Sequence, residues 1–195
     1  ADMITENADA ASAGGESNKV SYHIPAVGGL TAGISFTNSG TAGDADATEY
    51  GLKYAMDAGG ASVTIGASTG TKDVASAQDQ DHQVIGASIT SGAMTVNLSQ
   101  ATYEASNTDE ESTGASVQFK VSDAMTFTVH TAETDDSTSN EEYSNTGAEI
   151  KYTIASGLTA FLNVEDYDYK IGSGAGAGTT ADSGSVSKLT IKATF

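Results

Sequence analysis

The chain has 195 residues, with 22 glycines, one proline, no cysteine, no tryptophan and a formal net charge of −18. Zero cysteine excludes a disulfide framework, a thiolate metal site and a cysteine nucleophile. Its eight basic side chains are all lysine, so the basic face that nucleic acid demands is missing, and adsorption to an anionic membrane surface is disfavoured.

The first residues, Ala1-Asp2-Met3-Ile4-Thr5-Glu6, lack the charged and apolar regions of a signal peptide. The chain therefore reads as mature or as beginning partway through a longer protein. No run of about 20 apolar residues is present, which excludes a transmembrane helix but not a membrane barrel, whose strands of roughly 9–11 residues alternate apolar and polar positions.

From Val20 onward the dominant period is two, and eleven segments alternate apolar with small or polar residues. Their apolar sets are Val20, Tyr22, Ile24; Leu30, Ala32, Ile34, Phe36; Tyr50, Leu52, Tyr54, Met56; Ala61, Val63, Ile65, Ala67; Ile85, Ala87, Ile89; and Met94, Val96, Leu98. They continue with Ala115, Val117, Phe119, Val121; Met125, Phe127, Val129; Ala148, Ile150, Tyr152, Ile154; Leu158, Ala160, Leu162, Val164; and Leu189, Ile191, Ala193, Phe195. Short turns are expected at 26–29, 57–60, 91–92, 122–124 and 156–157, where Gly, Ser and Asp suit tight hairpins. Long polar loops are expected at 38–47, 69–81, 104–112, 133–142 and 168–185. Short turns alternating with long loops describe an up-and-down meander. The Greek-key crossovers of a β-sandwich would break that alternation.

Successive side chains of a strand point to opposite faces. The second face carries Lys19, His23, Glu49, Lys53, His82, Lys120, His130, Glu149, Lys151, Glu165, Lys188 and Lys192 among many hydroxyls. No charge falls at an apolar-face position of these segments. In a soluble antiparallel sheet the apolar face would be a packed core. In a membrane barrel it meets lipid, and the polar face lines water. No helix or doubly buried strand remains to cover it. Tyr22, Phe36, Phe119, Tyr50, Tyr143 and Phe195 lie near segment ends, where interfacial girdles form. The predicted fold is therefore an all-β, antiparallel, up-and-down transmembrane barrel, read as one domain over residues 1–195.

The segments Gly28–Phe36, Glu49–Tyr54 and Ser156–Phe161, and the end Lys188–Phe195, resemble the general porins of Gram-negative bacteria, in particular the sixteen-stranded trimeric porins of alphaproteobacteria. The resemblance implies a C-terminal portion of a passive-diffusion porin in the outer membrane. Eleven strands is odd, whereas bacterial single-chain barrels close with an even number, so strands are expected upstream. Counting back from the last of sixteen, residues 1–16 fall at the end of the loop that constricts the pore in that family. Asp2, Glu6, Asp9 and Glu16 then become the acidic side of the constriction. The resemblance also implies that Leu189, Ile191, Ala193 and Phe195 are the signal read by the barrel-assembly machinery. A homotrimer in contact with lipid and lipopolysaccharide follows from it as well.

The histidines lie on separate segments without metal-ligand spacing, and no strand-turn-helix elbow presents a nucleophile, so no enzyme and no cofactor are expected. Acidic runs at Asp109-Glu110-Glu111, Glu133–Asp136, Glu141-Glu142 and Asp166–Asp168 could bind loop Ca²⁺, but a solvated acidic rim explains them more simply. The alternative function is a secreted acidic all-β surface, adhesin or fibre protein. A barrel hydrolase comes third.

Overall fold

A computed structural model describes residues 18–38, 46–73, 78–172 and 180–194. Asp2, Glu6, Asp9, Glu16 and Phe195 lie outside the described residues. The strands are β1 (Asn18–Val27), β2 (Leu30–Asn38), β3 (Asp46–Ala58), β4 (Ala61–Asp73), β5 (Gln80–Ser91), β6 (Met94–Ala105), β7 (Thr108–Lys120), β8 (Met125–Asp136), β9 (Glu141–Ala155), β10 (Leu158–Lys170) and β11 (Thr180–Ala193). They form one sheet in sequence order, every neighbouring pair antiparallel. This is the predicted meander, strand for strand.

The hairpins follow from backbone chemistry. Gly28-Gly29 and Gly59-Gly60 all have positive φ, which glycine adopts without strain and which a two-residue turn between twisted strands needs. A methyl group on Gly29 would also collide with the Ala55 carbonyl, whose strand passes directly beside the turn. Pro25 sits where the β1–β2 register slips between Ile24 and Val27. A bulge tolerates a residue that donates no N–H.

The sheet is inside-out relative to a soluble protein. Among the described residues the buried apolar side chains are only Ala47 and Val84. Leu98, in a central strand, is 53 % exposed, and Ile85 is 52 % exposed. The polar side chains Ser35, Thr37 and His82 are the buried ones. An apolar surface this continuous is far larger than a water-facing monomer carries, whereas it is what hydrocarbon requires of a barrel exterior.

Two expectations are corrected. The acidic stretches 104–112 and 133–142 are mostly strand: β6 reaches Ala105, β7 begins at Thr108, β8 runs to Asp136 and β9 starts at Glu141. Polar partners across the strands hold these carboxylates in place. Gln100 donates to Glu111 at 2.6 Å and Ser137 to Asp109 at 2.6 Å. Tyr143 is no girdle residue: it pairs with Thr134 and Tyr169 on the polar face. Tyr22, Phe36, Tyr50 and Phe119 do share the apolar face, opposite Ile34, Val20, Ile34 and Phe127 respectively.

Candidate pore lining

Register places all twelve charged and histidine positions read from the sequence on one face. One row across the first strands runs Lys19, Thr37, Ala47, Lys72, Gln80. Another runs Ser116, His130, Gly147, Glu165, Val186. The first row adds Lys72, which lies in β4 rather than in the loop expected over 69–81. Extending the strands adds Glu110, Asp136, Glu141 and Asp182 to this face, along with Tyr143, Tyr167 and Tyr169. Their parity with Ser112, Thr134 and Asn145 was the available signal. Phe161 faces the same way, opposite Lys151, whose ammonium stands 6.0 Å from the ring centroid.

Within the described residues this face holds seven lysines and eight carboxylates. The excess negative charge of the chain therefore lies elsewhere. Several charges are locally matched. Lys19 reaches Glu49 at 3.2 Å, and Glu49 also accepts from Ser35 at 2.7 Å. Lys120 pairs with Asp123 of the following turn at 2.8 Å and, by donating to it, holds that carboxyl below its ordinary range. On the opposite face Lys170 pairs with Glu142, and that contact raises the lysine above its ordinary range. Glu133, Asp135 and Glu142 bring carboxylate oxygens within 4.8 Å of one another.

One arrangement occurs twice. Each of His82 and His130 stands opposite a glycine, and beyond that glycine stands a glutamate. The rows are His82–Gly70–Glu49 and His130–Gly147–Glu165. The glycine supplies the space. A methyl group built on Gly147 would lie 2.8 Å from both His130 and the Glu165 Cγ, and one on Gly70 would lie 3.1 Å from the Glu49 Cγ. Over Gly147 the imidazole and the carboxylate meet, with His130 Nε2 at 3.7 Å from Glu165 Oε1, whereas over Gly70 the His82 Nε2 stays without a hydrogen-bond partner. His23 likewise packs on Gly33, without a glutamate beyond. Strand propensity alone favours valine over glycine, yet Gly147→Val is expected to destabilise the folded protein by about 1–3 kcal/mol through overpacking. Denaturant unfolding in detergent measures it. The loss should shrink when His130→Ala is added. A stabilised single variant would contradict this account of the glycine.

Comparison with known proteins agrees with this geometry. Among curated protein sequences nothing matches the chain. The anion-selective porin from Comamonas acidovorans is similar in structure, with 19 % identity and a TM-score of 0.72 over 91 % of this chain and 59 % of that one. OpdK of Pseudomonas aeruginosa, solved with vanillate, is 11 % identical with a TM-score of 0.72, covering 91 % of this chain and 56 % of its own. OmpT of Vibrio cholerae is 12 % identical with a TM-score of 0.63, covering 89 % and 62 %. The chain thus spans little more than half the length of these porins. At such identities the likeness establishes the fold, a transmembrane β-barrel. Residues 1–172 match the sequence model of the Gram-negative porins. That match covers most of the chain, so the chain belongs to the Gram-negative porin family, whose members are outer-membrane channel proteins rather than enzymes.

Proposed function

We propose that this chain forms most of the wall of a water-filled outer-membrane channel through which small hydrophilic solutes and ions diffuse passively. The observation that carries the reading is the inversion of the sheet: large apolar side chains stand exposed on one face while hydroxyls, lysines, carboxylates and imidazoles share the other. Selection then rests on pore width and on the charge of the lining, with no coupled energy source. The secreted surface or fibre protein has neither the family nor the barrel fold in its favour. Planar-bilayer recording of the native protein tests the proposal. Stepwise, ohmic conductance increments are expected, and a protein that inserts without conducting would overturn it.

The pore-lining set is Lys19, His23, Glu49, Lys53, His82, Lys120, His130, Glu149, Lys151, Glu165, Lys188 and Lys192, joined by Lys72. Among the described residues β1 and β11 each have one neighbour in the sheet. Unpaired backbone groups in hydrocarbon are prohibitive, so both edges pair with further strands, completing a sixteen-stranded barrel. Residues 1–16 close the constriction loop, with Asp2, Glu6, Asp9 and Glu16 on it. The barrel assembles as a homotrimer amid lipid and lipopolysaccharide, and its last strand, ending in Leu189, Ile191, Ala193 and Phe195, engages the assembly machinery. No cofactor enters this reading. At Glu133, Asp135 and Glu142 the ammonium of Lys170 supplies the local counter-charge, and saturable Ca²⁺ binding there in calorimetry would contradict that.

A further inference from the structure

The polar face of β9–β11 carries a cluster that the diffusion mechanism does not use. Tyr143 stands opposite Tyr169, and Tyr167 is the next residue of β10 on the same face. Three phenol rings therefore occupy adjacent positions. Tyr167 leans over β11, where Gly184 leaves room: a methyl group there would meet the ring at 3.4 Å. Its hydroxyl donates to Asp182 at 3.2 Å. Tyr169 donates to Glu141 on the other side. Both phenols are held above their ordinary ionisation range, first of all by these hydrogen bonds, so they stay neutral donors. Asp136 lies opposite Glu141.

The cluster holds Glu141, Asp182 and Asp136, and no lysine shares its face on these strands between Thr134 and Asp136, Glu141 and Asn145, Tyr167 and Tyr169, or Asp182 and Gly184. The positions interleaved with it on the outer face are Glu142, Ser144, Asp166 and Asp168. Polar residues there place the cluster beyond the apolar band, on the side of the β8–β9 and β10–β11 connections.

We propose that this tyrosine–carboxylate cluster is a binding site for organic cations, solutes bearing an ammonium group with apolar substituents. The site rests on the channel reading, since it faces the lumen. A small inorganic cation would use the carboxylates and leave the rings idle. A neutral sugar would use the rings and leave the negative charge idle. An alkylammonium ion uses both, because the π-face of tyrosine attracts cations and the carboxylates raise their local concentration.

Choline is the probe, and line broadening of its N-methyl proton resonance in the presence of the native protein in detergent is the readout. Binding needs no conductance, so this test can fail while the channel reading stands. Saturable broadening is expected, with glucose and sodium unable to compete at equal concentration. Joint replacement Tyr143→Leu, Tyr167→Leu and Tyr169→Leu should weaken binding at least about tenfold. The corresponding phenylalanine variant keeps the rings and should stay within about threefold of the parent, which guards against a folding artefact. Asp182→Asn with Glu141→Gln should weaken binding while leaving the rings in place. Equal affinity in the leucine and phenylalanine variants, displacement of choline by sodium alone, or saturation by glucose would each overturn the assignment.

Discussion

Arginine at Val129 destabilises the barrel and lowers its yield in the outer membrane, whereas arginine at its chain neighbour Thr128 is tolerated. That is the expected result with the largest effect on stability, and it follows from face alone. Val129 lies on the apolar face between Val117 and Ala148 and is 41 % exposed. In a water-soluble sheet, a charge at so exposed a position would cost within about 0.5 kcal/mol. Against hydrocarbon it costs more, between the about 2–4 kcal/mol of the bilayer midplane and the about 0–1 kcal/mol of the interfaces. Thr128 lies between Gln118 and Glu149 on the wet face, where a guanidinium meets water and a carboxylate. Outer-membrane yield and denaturant midpoints of the two variants measure the contrast. Equal behaviour of the pair would put water on both faces.

The second large effect is on ion selectivity. Lys120, Lys151, Lys188 and Lys192 share the polar face, in the rows Lys120–Thr126–Lys151–Phe161–Thr190, Glu149–Asn163–Lys188 and Thr153–Thr159–Lys192. With seven lysines set against eight carboxylates, the described lining is nearly balanced, so removing four positive charges tips it decisively negative. Replacing these lysines by glutamine should raise the cation-to-anion permeability ratio by at least about threefold, because lining charge sets the local ion concentration. The reversal potential across a salt gradient reads it directly, and an unchanged potential would show that the lysines do not face the conduction path. Lys120 is expected to matter least of the four, since Asp123 already offsets it at 2.8 Å.

The barrel was legible because its signal is local. Alternation such as Met94, Val96, Leu98 against Thr95, Asn97, Ser99 needs no knowledge of neighbours, and Gly-rich turns mark where each strand reverses. Strand ends were harder. Stretches such as Asp109-Glu110-Glu111 read as loop because carboxylates are poor strand formers, yet here they continue the strands past the lipid with partners such as Gln100 and Ser137. Misplacing that boundary is what sent Tyr143 to the girdle. Counted back from Ala148 by twos, the apolar face passes through Thr146, Ser144 and Glu142, leaving Tyr143 on the wet side. The His–Gly–Glu rows were out of reach for a different reason. They require the register of three strands at once, and in sequence Gly147 and His130 are separated by a turn and about half of each flanking strand.

The central claim is that one face of this sheet meets lipid and the other meets water. The chain has no cysteine, so single cysteines placed along β7 are unambiguous reporters. In intact outer membranes, cysteines at Ser116 and Gln118 should react with a membrane-impermeant maleimide, while cysteines at Val117 and Phe119 should be protected. Uniform labelling of all four, or labelling with the opposite alternation, would contradict the account.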